Sequence, residues 1–354
     1  ISDIELSYRN LKTNNVVAVT GTNGKTTTTT IIGDILRRKA KTFVVGNIGK
    51  GILEITKEAK NDDYVVIEAS SFQLEDTKLF KPHIAILTYV TSDHLDWHKT
   101  TENYVDAKFK IFANQDKDDF AILNYENKKL AEKYNLRAEK YYFSMNKISE
   151  KGAFLENGKI YFNDGKDTEE VLEVKDIKIP GVHNIKNIMA AIIASKLLSI
   201  DTEIIKNSII SFTGVEHRIE FVRELDGVKY YNDSKGTNPD STEVAVAAMD
   251  GDVVLIAGGY DKGADFDDLI EKSKDKLKNV ILFGETAEKF SNSCKKSAVE
   301  FYIVKDLNKA VELAKKLSKD GDDVLLSPAC ASWDMYSDYE VRGRHFKDLV
   351  RELV

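Results

Sequence analysis

VVAVTGTNGKTTTT, from Val16 to Thr29, decides the fold of the first part of this chain. Its apolar start predicts a buried strand, its two glycines predict a tight turn, and the residues from Lys25 onward predict a helix. Exposed N–H groups in such a turn bind phosphate, while Lys25 adds a cation and Thr26 a hydroxyl for Mg2+. Val19 stands where the general P-loop pattern has glycine, but the strand–turn–helix context favours a nucleotide-binding loop over an incidental glycine turn. The predicted phosphate-binding residues are Gly21, Thr22, Asn23, Gly24, Lys25, Thr26 and Thr27.

Length and composition limit the function classes. The chain has 354 residues, which predicts two domains, and its net charge of -7 argues against a nucleic-acid partner. Its two cysteines, Cys294 and Cys330, lie far apart, so neither a disulfide framework nor a zinc cluster is predicted. No run of about 18 apolar residues predicts a membrane span. We expect a cytoplasmic monomer that acts on small molecules.

Apolar runs alternate with helical patterns along the chain, which predicts an α/β fold with mostly parallel sheets. Residues 1–214 are predicted to form a P-loop ATPase-like domain that binds ATP, with an antiparallel addition within 141–174. Residues 215–354 are predicted to form a Rossmann-like, doubly wound domain. The strands expected are 42–45, 64–68 and 83–88 in the first domain, and 229–232, 253–257, 280–283, 301–304 and 324–327 in the second.

Polar and glycine-rich segments follow three strands of the second domain: NDSKGTNPDST, AGGYDKGADF and SPACASWDMY. Ligands of open α/β sheets bind beyond the carboxyl ends of the strands, so these segments predict one shared cleft. Each segment alone would also suit a solvated surface.

Two residues near the phosphate loop are candidate metal ligands. Glu68 ends the strand YVVIE, and His94 lies in TSDHLDWH after another strand. Alone, either could be a local ion-pair or loop residue, but the phosphate loop upstream favours a metal site. Lys108 taken alone is interpreted as a helix lysine in a salt bridge.

The motifs together resemble the Mur ligase family of ATP-dependent amino-acid ligases. GTNGKTT, GNIGKG, EASSFQLE, TSDHLDWH, GVHNIKN, HRIE, NDSKGTN and GGYDKGADF occur in the family's order over essentially the whole chain. SPACASWDMY followed by RGRHF is similar to the members that add D-glutamate. The sequence contains no DNPR-type signature of the members that add a diamino acid or lysine.

This resemblance implies the cofactors, the substrates and the site residues. The cofactors would be ATP, two Mg2+ ions and a CO2-derived carbamate on Lys108. D-glutamate would be joined to UDP-N-acetylmuramoyl-L-alanine through an acyl phosphate. The implied catalytic residues are Lys25, Lys108, His183 and Lys235, and the implied metal ligands are Thr26, Glu68, Ser70 or Ser71, His94 and carbamylated Lys108. Asn47, Asn184, Asn187, Arg218 and Asp233 would contact the nucleotide, and Thr237, Lys262, Ser332 and Tyr339 would bind D-glutamate. Tyr339 departs from the phenylalanine common in the family.

One departure concerns the start of the chain. Family members carry an N-terminal domain that binds UDP, and this sequence begins at about the linker after it. We therefore expect ATP binding with weak or absent ligase activity, because remote binding energy positions the reacting carboxylate. Two alternatives stay open: a folylpolyglutamate synthase-like ligase, which SPACASWDMY disfavours, and a nucleotide-binding core without turnover.

Overall fold

A computed structural model describes residues 1–48, 51–91 and 95–354, which divide into two compact units, Ile1–Phe212 and Thr213–Val354. Each unit is a sheet covered by helices, so the predicted α/β class is confirmed. No helix in the described part of the chain is both long and apolar enough to cross a membrane.

The sheet of the first unit contains nine described strands in the order β2-β3-β1-β4-β5-β6-β7-β8-β9. Neighbours from β2 to β7 run parallel, and β8 and β9 continue the sheet as an antiparallel addition, as predicted. These strands β1 to β9 span Val16–Thr20, Thr42–Gly46, Tyr64–Glu68, Ile84–Leu87, Phe120–Asn124, Glu139–Ser144, Gly152–Glu156, Lys159–Asn163 and Thr168–Glu173.

Helices cover this sheet because its central strands are apolar on both faces. Every residue of β1, β3 and β4 is buried, as expected for parallel strands between two helical layers. The helices α1 to α9 span Asp3–Tyr8, Lys25–Arg37, Ile52–Ile55, Ser71–Glu75, Leu95–His98, Thr101–Phe109, Lys128–Lys133, Val182–Leu197 and Thr202–Ser211.

The short helix α1 is joined to the unit by two carboxylates. Glu5 is fully buried and accepts the N–H groups of Lys78, Leu79 and Phe80 at 2.9–3.0 Å, and it also pairs with Arg9 at 2.6 Å. Desolvation raises the pKa of Glu5, but these hydrogen bonds outweigh it and leave the pKa below its usual value. Asp3 accepts from Gln73 of α4. The segment before β1 is therefore part of the first unit.

The sheet of the second unit has the order β10-β11-β15-β12-β13-β14 among its described strands. Strands β11 to β15 all run parallel to one another, which agrees with the doubly wound prediction. β10 is an unpredicted edge strand that pairs antiparallel with β11. The strands β10 to β15 span Glu220–Leu225, Val228–Asn232, Val253–Ala257, Leu277–Leu282, Phe301–Ile303 and Asp323–Leu326. The helices α10 to α14 span Pro239–Ala247, Asp267–Ser273, Ala287–Lys296, Leu307–Leu317 and Tyr339–Glu352.

Candidate functional site

The loop between β1 and α2 has the backbone that its glycines predict. Gly24 precedes the helix with φ +85°, a left-handed conformation that strains other residues. A Cβ at Gly24 would lie 2.3 Å from Asn187 Oδ1, and one at Gly21 would lie 2.0 Å from Thr88 Oγ1. Because glycine brings no capping side chain, the first N–H groups of α2 are suited to an anion. Both predicted glycines are needed for this loop.

Two lysines converge on the loop. Lys25 Nζ donates to the carbonyl oxygens of Gly21 at 2.8 Å and Thr22 at 2.9 Å. Lys108 Nζ, from α6, also donates to Gly21 O at 2.8 Å, and the Lys108 side chain is 1% exposed. The same ammonium lies 4.5 Å from the centroid of the Tyr104 ring. The helix pattern alone did not predict that Lys108 lies against the phosphate loop.

The loop is also hydrogen-bonded to the segment after β4 and to α6. Thr22 N–H donates to Tyr89 O at 2.6 Å, and the Thr22 hydroxyl lies 3.1 Å from the Tyr104 hydroxyl. Thr91 N–H donates to Thr22 Oγ1 at 3.1 Å. The loop conformation is therefore fixed by contacts within the first unit.

Glu68 supplies a buried carboxylate at the end of β3. Its side chain is 1% exposed, and Oε1 accepts from Asn47 Nδ2 at 3.1 Å. Glu68 Oε2 is buried and accepts no hydrogen bond from any residue that the structure describes. A buried carboxylate oxygen without a donor is costly, and a cation would compensate for it.

The start of α8 carries three predicted residues, His183, Asn184 and Asn187, and one of them lies against the loop. Asn187 packs against Gly24, as the clash of a Cβ there shows, and its Nδ2 donates to Asn184 Oδ1 at 3.3 Å. Asn184 Nδ2 donates to Pro180 O at 2.6 Å, and His183 is half-buried. The structure therefore places Asn187 against the phosphate loop and Asn184 next to Asn187.

The two serines of EASSFQLE face different partners. Ser71 is buried, and its Oγ lies 3.0 Å from His98 Nε2. Ser70 is half-buried and hydrogen-bonds with Gln73. His94, the predicted histidine ligand, lies outside the described residues.

In the second unit, Asp233 directly follows the last residue of β11 and is fully buried. Its Oδ2 accepts from Ser327 Oγ at 2.7 Å, and its Oδ1 accepts from Ile219 N–H at 3.2 Å. Burial raises the pKa of Asp233 from 3.8 to about 6, although the charge of Arg218 and these hydrogen bonds oppose the rise. The carboxylate thus connects the loop after β11 to Ser327, which follows β15, and to Ile219, which precedes β10. Its contact with the nucleotide stays a prediction.

The predicted amino-acid residues lie on the loops after β11, β12 and β15. Lys235 Nζ lies 5.6 Å from the centroid of the Tyr339 ring, so two of the predicted residues are neighbours. Ser332 is buried, and its hydroxyl has no hydrogen-bond partner among the described residues. Thr237 is half-buried and Lys262 is exposed. A backbone hydrogen bond of 2.9 Å from Tyr260 N–H to Ala331 O connects the Lys262 and Ser332 loops.

Arg342 of α14 joins two of these loops, and sequence reasoning assigned it no role. The guanidinium is fully buried and donates to Ser234 O at 2.9 Å, Cys330 O at 3.1 Å and Ala331 O at 3.3 Å. Its Nε donates to Ser234 Oγ at 3.0 Å. Burial lowers the pKa of Arg342 to about 10. The signal that could have found it is its place in RGRHF, which five residues separate from the end of SPACASWDMY.

Comparison with protein families agrees with this arrangement. Residues 19–195 match the Mur ligase middle domain, and residues 217–330 match the Mur ligase glutamate ligase domain. The chain belongs to the Mur ligase family. The resemblance inferred from the motifs is therefore confirmed, and membership of this family makes the chain a ligase.

Curated relatives cover the whole chain. A UDP-N-acetylmuramoylalanine--D-glutamate ligase from Clostridioides difficile is 47% identical over 358 residues, which is 100% of this chain and 79% of the relative. A ligase of the same name from Alkaliphilus oremlandii is 45% identical and is covered to 78%. This Mur ligase chain thus spans about four-fifths of the length of these relatives.

Solved structures share the fold at low sequence identity. The MurF ligase from Thermotoga maritima in complex with ADP has a TM-score of 0.71 at 20% identity, over 99% of this chain and 83% of that one. MurC from the same organism has a TM-score of 0.67 at 20% identity, over 98% and 77%. These likenesses support the fold of this Mur ligase.

The residues of this Mur ligase fit a nucleotide and a divalent cation. Gly24 leaves the start of α2 open to phosphate oxygens, and Lys25 supplies a cation beside them. Glu68 Oε2 is a buried acceptor without a donor among the described residues, as a hard cation requires. The described part of the chain contains no cluster of three or more histidine, cysteine or acidic side chains that could hold a metal by themselves.

Proposed function

We propose that this Mur ligase joins D-glutamate to UDP-N-acetylmuramoyl-L-alanine and converts ATP to ADP and phosphate. The observation that carries the proposal is the convergence of Lys25 and buried Lys108 on one carbonyl of the phosphate loop. The names of the relatives supply the substrates. The neighbour from Thermotoga maritima, which shares the fold, is a complex with ADP, and this supports a nucleotide as a ligand of this chain.

The proposed reaction has two steps. A carboxylate oxygen of the L-alanine end attacks the γ-phosphorus of ATP, the bond from that phosphorus to the β–γ bridging oxygen breaks, and ADP leaves. The amine of D-glutamate then attacks the carbonyl carbon of the acyl phosphate, phosphate leaves, and the nitrogen loses a proton as the amide forms. Both steps bring anions together, so cationic groups that lower the repulsion supply most of the catalysis.

The residues of the first unit would carry the phosphoryl chemistry. Lys25 would move from its loop carbonyls to the phosphates, and Thr26 and Glu68 would hold a divalent cation that stabilises the spreading negative charge. Lys108 in its ammonium form cannot ligate a cation. Reaction of its neutral amine with CO2 forms an N–C bond, releases one proton and leaves an anionic carbamate with oxygen ligands.

The residues of the second unit would bind the incoming amino acid. The buried Ser332 hydroxyl has no partner among the described residues and is suited to a D-glutamate carboxylate. Lys262 is exposed, Thr237 is half-buried, and the Tyr339 ring is next to Lys235. We propose that Lys262 and Thr237 complete the carboxylate contacts and that Lys235 supports the transferred phosphoryl group.

The test is release of ADP from ATP with Mg2+, bicarbonate and UDP-N-acetylmuramoyl-L-alanine, with D-glutamate, L-glutamate or no amino acid. We expect release that depends on D-glutamate. Release stimulated by L-glutamate and a folate instead would contradict the proposed substrates. Tight Mg2+-dependent ADP binding without any turnover would favour a nucleotide-binding core over a complete ligase.

A further inference from the structure

The segment before the phosphate-loop strand contacts the motif that carries Glu68. Both carboxylate oxygens of Asp3 lie 3.1 Å from Gln73 Nε2. At the other end of the same amide, Gln73 Oε1 lies 3.1 Å from Ser70 N and 3.1 Å from Ser70 Oγ. Asp3, Gln73 and Ser70 therefore form one hydrogen-bonded chain.

The donors and acceptors of Asp3, Gln73 and Ser70 allow only one arrangement of the protons in these hydrogen bonds. A carboxylate only accepts, so the NH2 end of Gln73 faces Asp3 and its oxygen faces Ser70. Gln73 N–H donates to Ser70 Oγ at 3.2 Å, which uses one lone pair of that hydroxyl. The single hydroxyl proton is then donated to Gln73 Oε1. What Ser70 Oγ has left is a second lone pair, which no described residue uses.

The position of Ser70 relates this lone pair to the candidate metal site. Ala69 N–H donates to Val19 O at 2.9 Å, and Thr20 Oγ1 donates to Ala69 O at 2.8 Å. These bonds fix residues 68–70 beside the end of β1, where the phosphate loop begins. Glu68 Oε2, two residues before Ser70, is likewise an acceptor without a described donor. Acceptors without protons suit a hydrated cation and repel phosphate or carboxylate oxygens.

We propose that Asp3 is a positioning residue for the metal site. By orienting Gln73, it directs the Ser70 hydroxyl proton toward Gln73 Oε1, so that Ser70 offers a lone pair to the divalent cation or its water. This inference rests on the proposed function. Without Asp3 the only described partners that favour this orientation of the Gln73 amide are the N–H and hydroxyl of Ser70, so the amide can turn over or move away from Ser70. The Ser70 proton would lose its acceptor and could point at the cation.

The experiment measures Mn2+ affinity by electron paramagnetic resonance in the presence of ADP, and ADP affinity without metal, on the full chain. Asp3→Ala and Gln73→Met are each expected to weaken Mn2+ binding about tenfold, as loss of a residue that orients a metal ligand does. Metal-free ADP affinity should stay within about twofold, because the phosphate loop is untouched. The double variant should bind Mn2+ no more weakly than either single variant, because both substitutions break the same series of hydrogen bonds.

Two control variants separate positioning from charge and from helix stability. Asp3→Asn removes the charge but keeps an oxygen for Gln73 Nε2, so Mn2+ affinity should return to within about twofold of the unchanged protein. Arg9→Ala removes the ion pair of Glu5 in the same helix without touching Gln73, and it should leave Mn2+ affinity unchanged. If Asp3→Asn is as weak as Asp3→Ala, or if Arg9→Ala reproduces the loss, the positioning role is overturned.

Glu68→Gln distinguishes this inference from the proposed function. In the unchanged protein, we expect Mn2+ and ADP each to strengthen the binding of the other, and Glu68→Gln should remove this coupling. If Asp3→Ala keeps the coupling, only the inference about Asp3 fails. If the unchanged protein shows no coupling between Mn2+ and ADP, the proposed function fails and the inference with it.

Discussion

Lys25 and Lys108 donate to the same acceptor, the carbonyl oxygen of Gly21, and both Nζ–O distances are 2.8 Å. The two nitrogens are therefore at most twice that distance apart. Two ammonium charges so close repel, whereas a carbamate on Lys108 would attract Lys25 and a metal cation. The proximity of these lysines gives a physical reason for modifying one of them.

Replacement of this buried lysine tests the carbamate. Lys108→Ala is expected to lower amide-forming turnover by about 100-fold or more, because a charged group at the developing charge is lost. Acetate or another short carboxylic acid should restore part of the rate by occupying the place of the carbamate. Lys57→Ala, at an exposed position of the first unit, should change turnover neither without nor with the added carboxylic acid. The absence of recovery in a folded Lys108→Ala protein would count against the carbamate.

Two glycine substitutions separate strain from loss of the phosphate loop. Gly24 and Gly158 have φ of +85° and +74°, so alanine at either should cost about 1 kcal/mol of unfolding free energy. Only at Gly24 would the new Cβ meet another residue, Asn187, since nothing lies within 4 Å of a Cβ at Gly158. We expect calorimetry to show lost Mg-ADP binding for Gly24→Ala and unchanged binding for Gly158→Ala. Equal affinities would contradict a phosphate role for this loop.

The buried guanidinium of Arg342 should stabilise the second unit, because it joins two loops of that unit. Arg342→Met would leave the carbonyls of Ser234 and Cys330 without their donor, at a cost of about 3 kcal/mol or more. The chain's two cysteines both lie buried in this unit, so pulse labelling of thiols in urea reports its unfolding. Arg344→Met, on the same helix but 52% exposed, is the matched control and should be near neutral. A similar urea midpoint for both variants would refute the structural role.

Asp233 predicts a pH dependence of stability. Its folded-state pKa of about 6 exceeds the ordinary value of 3.8, so the folded unit binds the proton more tightly. The contribution of this carboxyl is therefore full below about pH 4 and is lost as pH rises through about 6. Asp233→Asn removes this titration. We expect the stability of the unchanged protein relative to this variant to fall by up to about 3 kcal/mol over that range.

The measurement for Asp233 is urea unfolding at several pH values, followed by labelling Cys294 and Cys330 with a disulfide reagent that reacts at acid pH. Because the comparison is a difference between two proteins, the titration of all other carboxyl groups cancels. A difference that does not vary with pH would show that Asp233 keeps an ordinary pKa in the folded protein.

Strands with apolar residues on both faces were predictable, and so were the half-exposed strands β2, β11 and β14, whereas the edge strand β10 was not. VVAV and VVLIA are too apolar for any place but the inside of a covered sheet, and β1 and β12 lie there. β10, with the sequence EFVREL, mixes charged and apolar residues without a regular period and lies at the sheet edge, where pairing with β11 rather than burial determines it. Its sequence is therefore also typical of a loop or a surface helix.

The candidate site shows the same division. The phosphate loop depends on local backbone geometry, so the roles of its glycines and of Lys25 could be predicted from one continuous stretch of sequence. The contact of Lys108 with Gly21 joins residues 87 positions apart, and the bonds of Arg342 to Ser234 join residues 108 positions apart. Such contacts are set by the packing of the sheet, which no local pattern contains.

The buried Glu5 sets a limit on how this gene can be divided. A shortened clone that starts at Val16, the first residue of β1, would still encode every strand and every phosphate-loop residue of the first unit. It would nevertheless leave the N–H of fully buried Phe80 without its acceptor, at a cost of about 1–3 kcal/mol. Expression plasmids for the isolated nucleotide-binding half should therefore retain the codons for residues Ile1 to Asn15, although nothing in this segment resembles a binding motif.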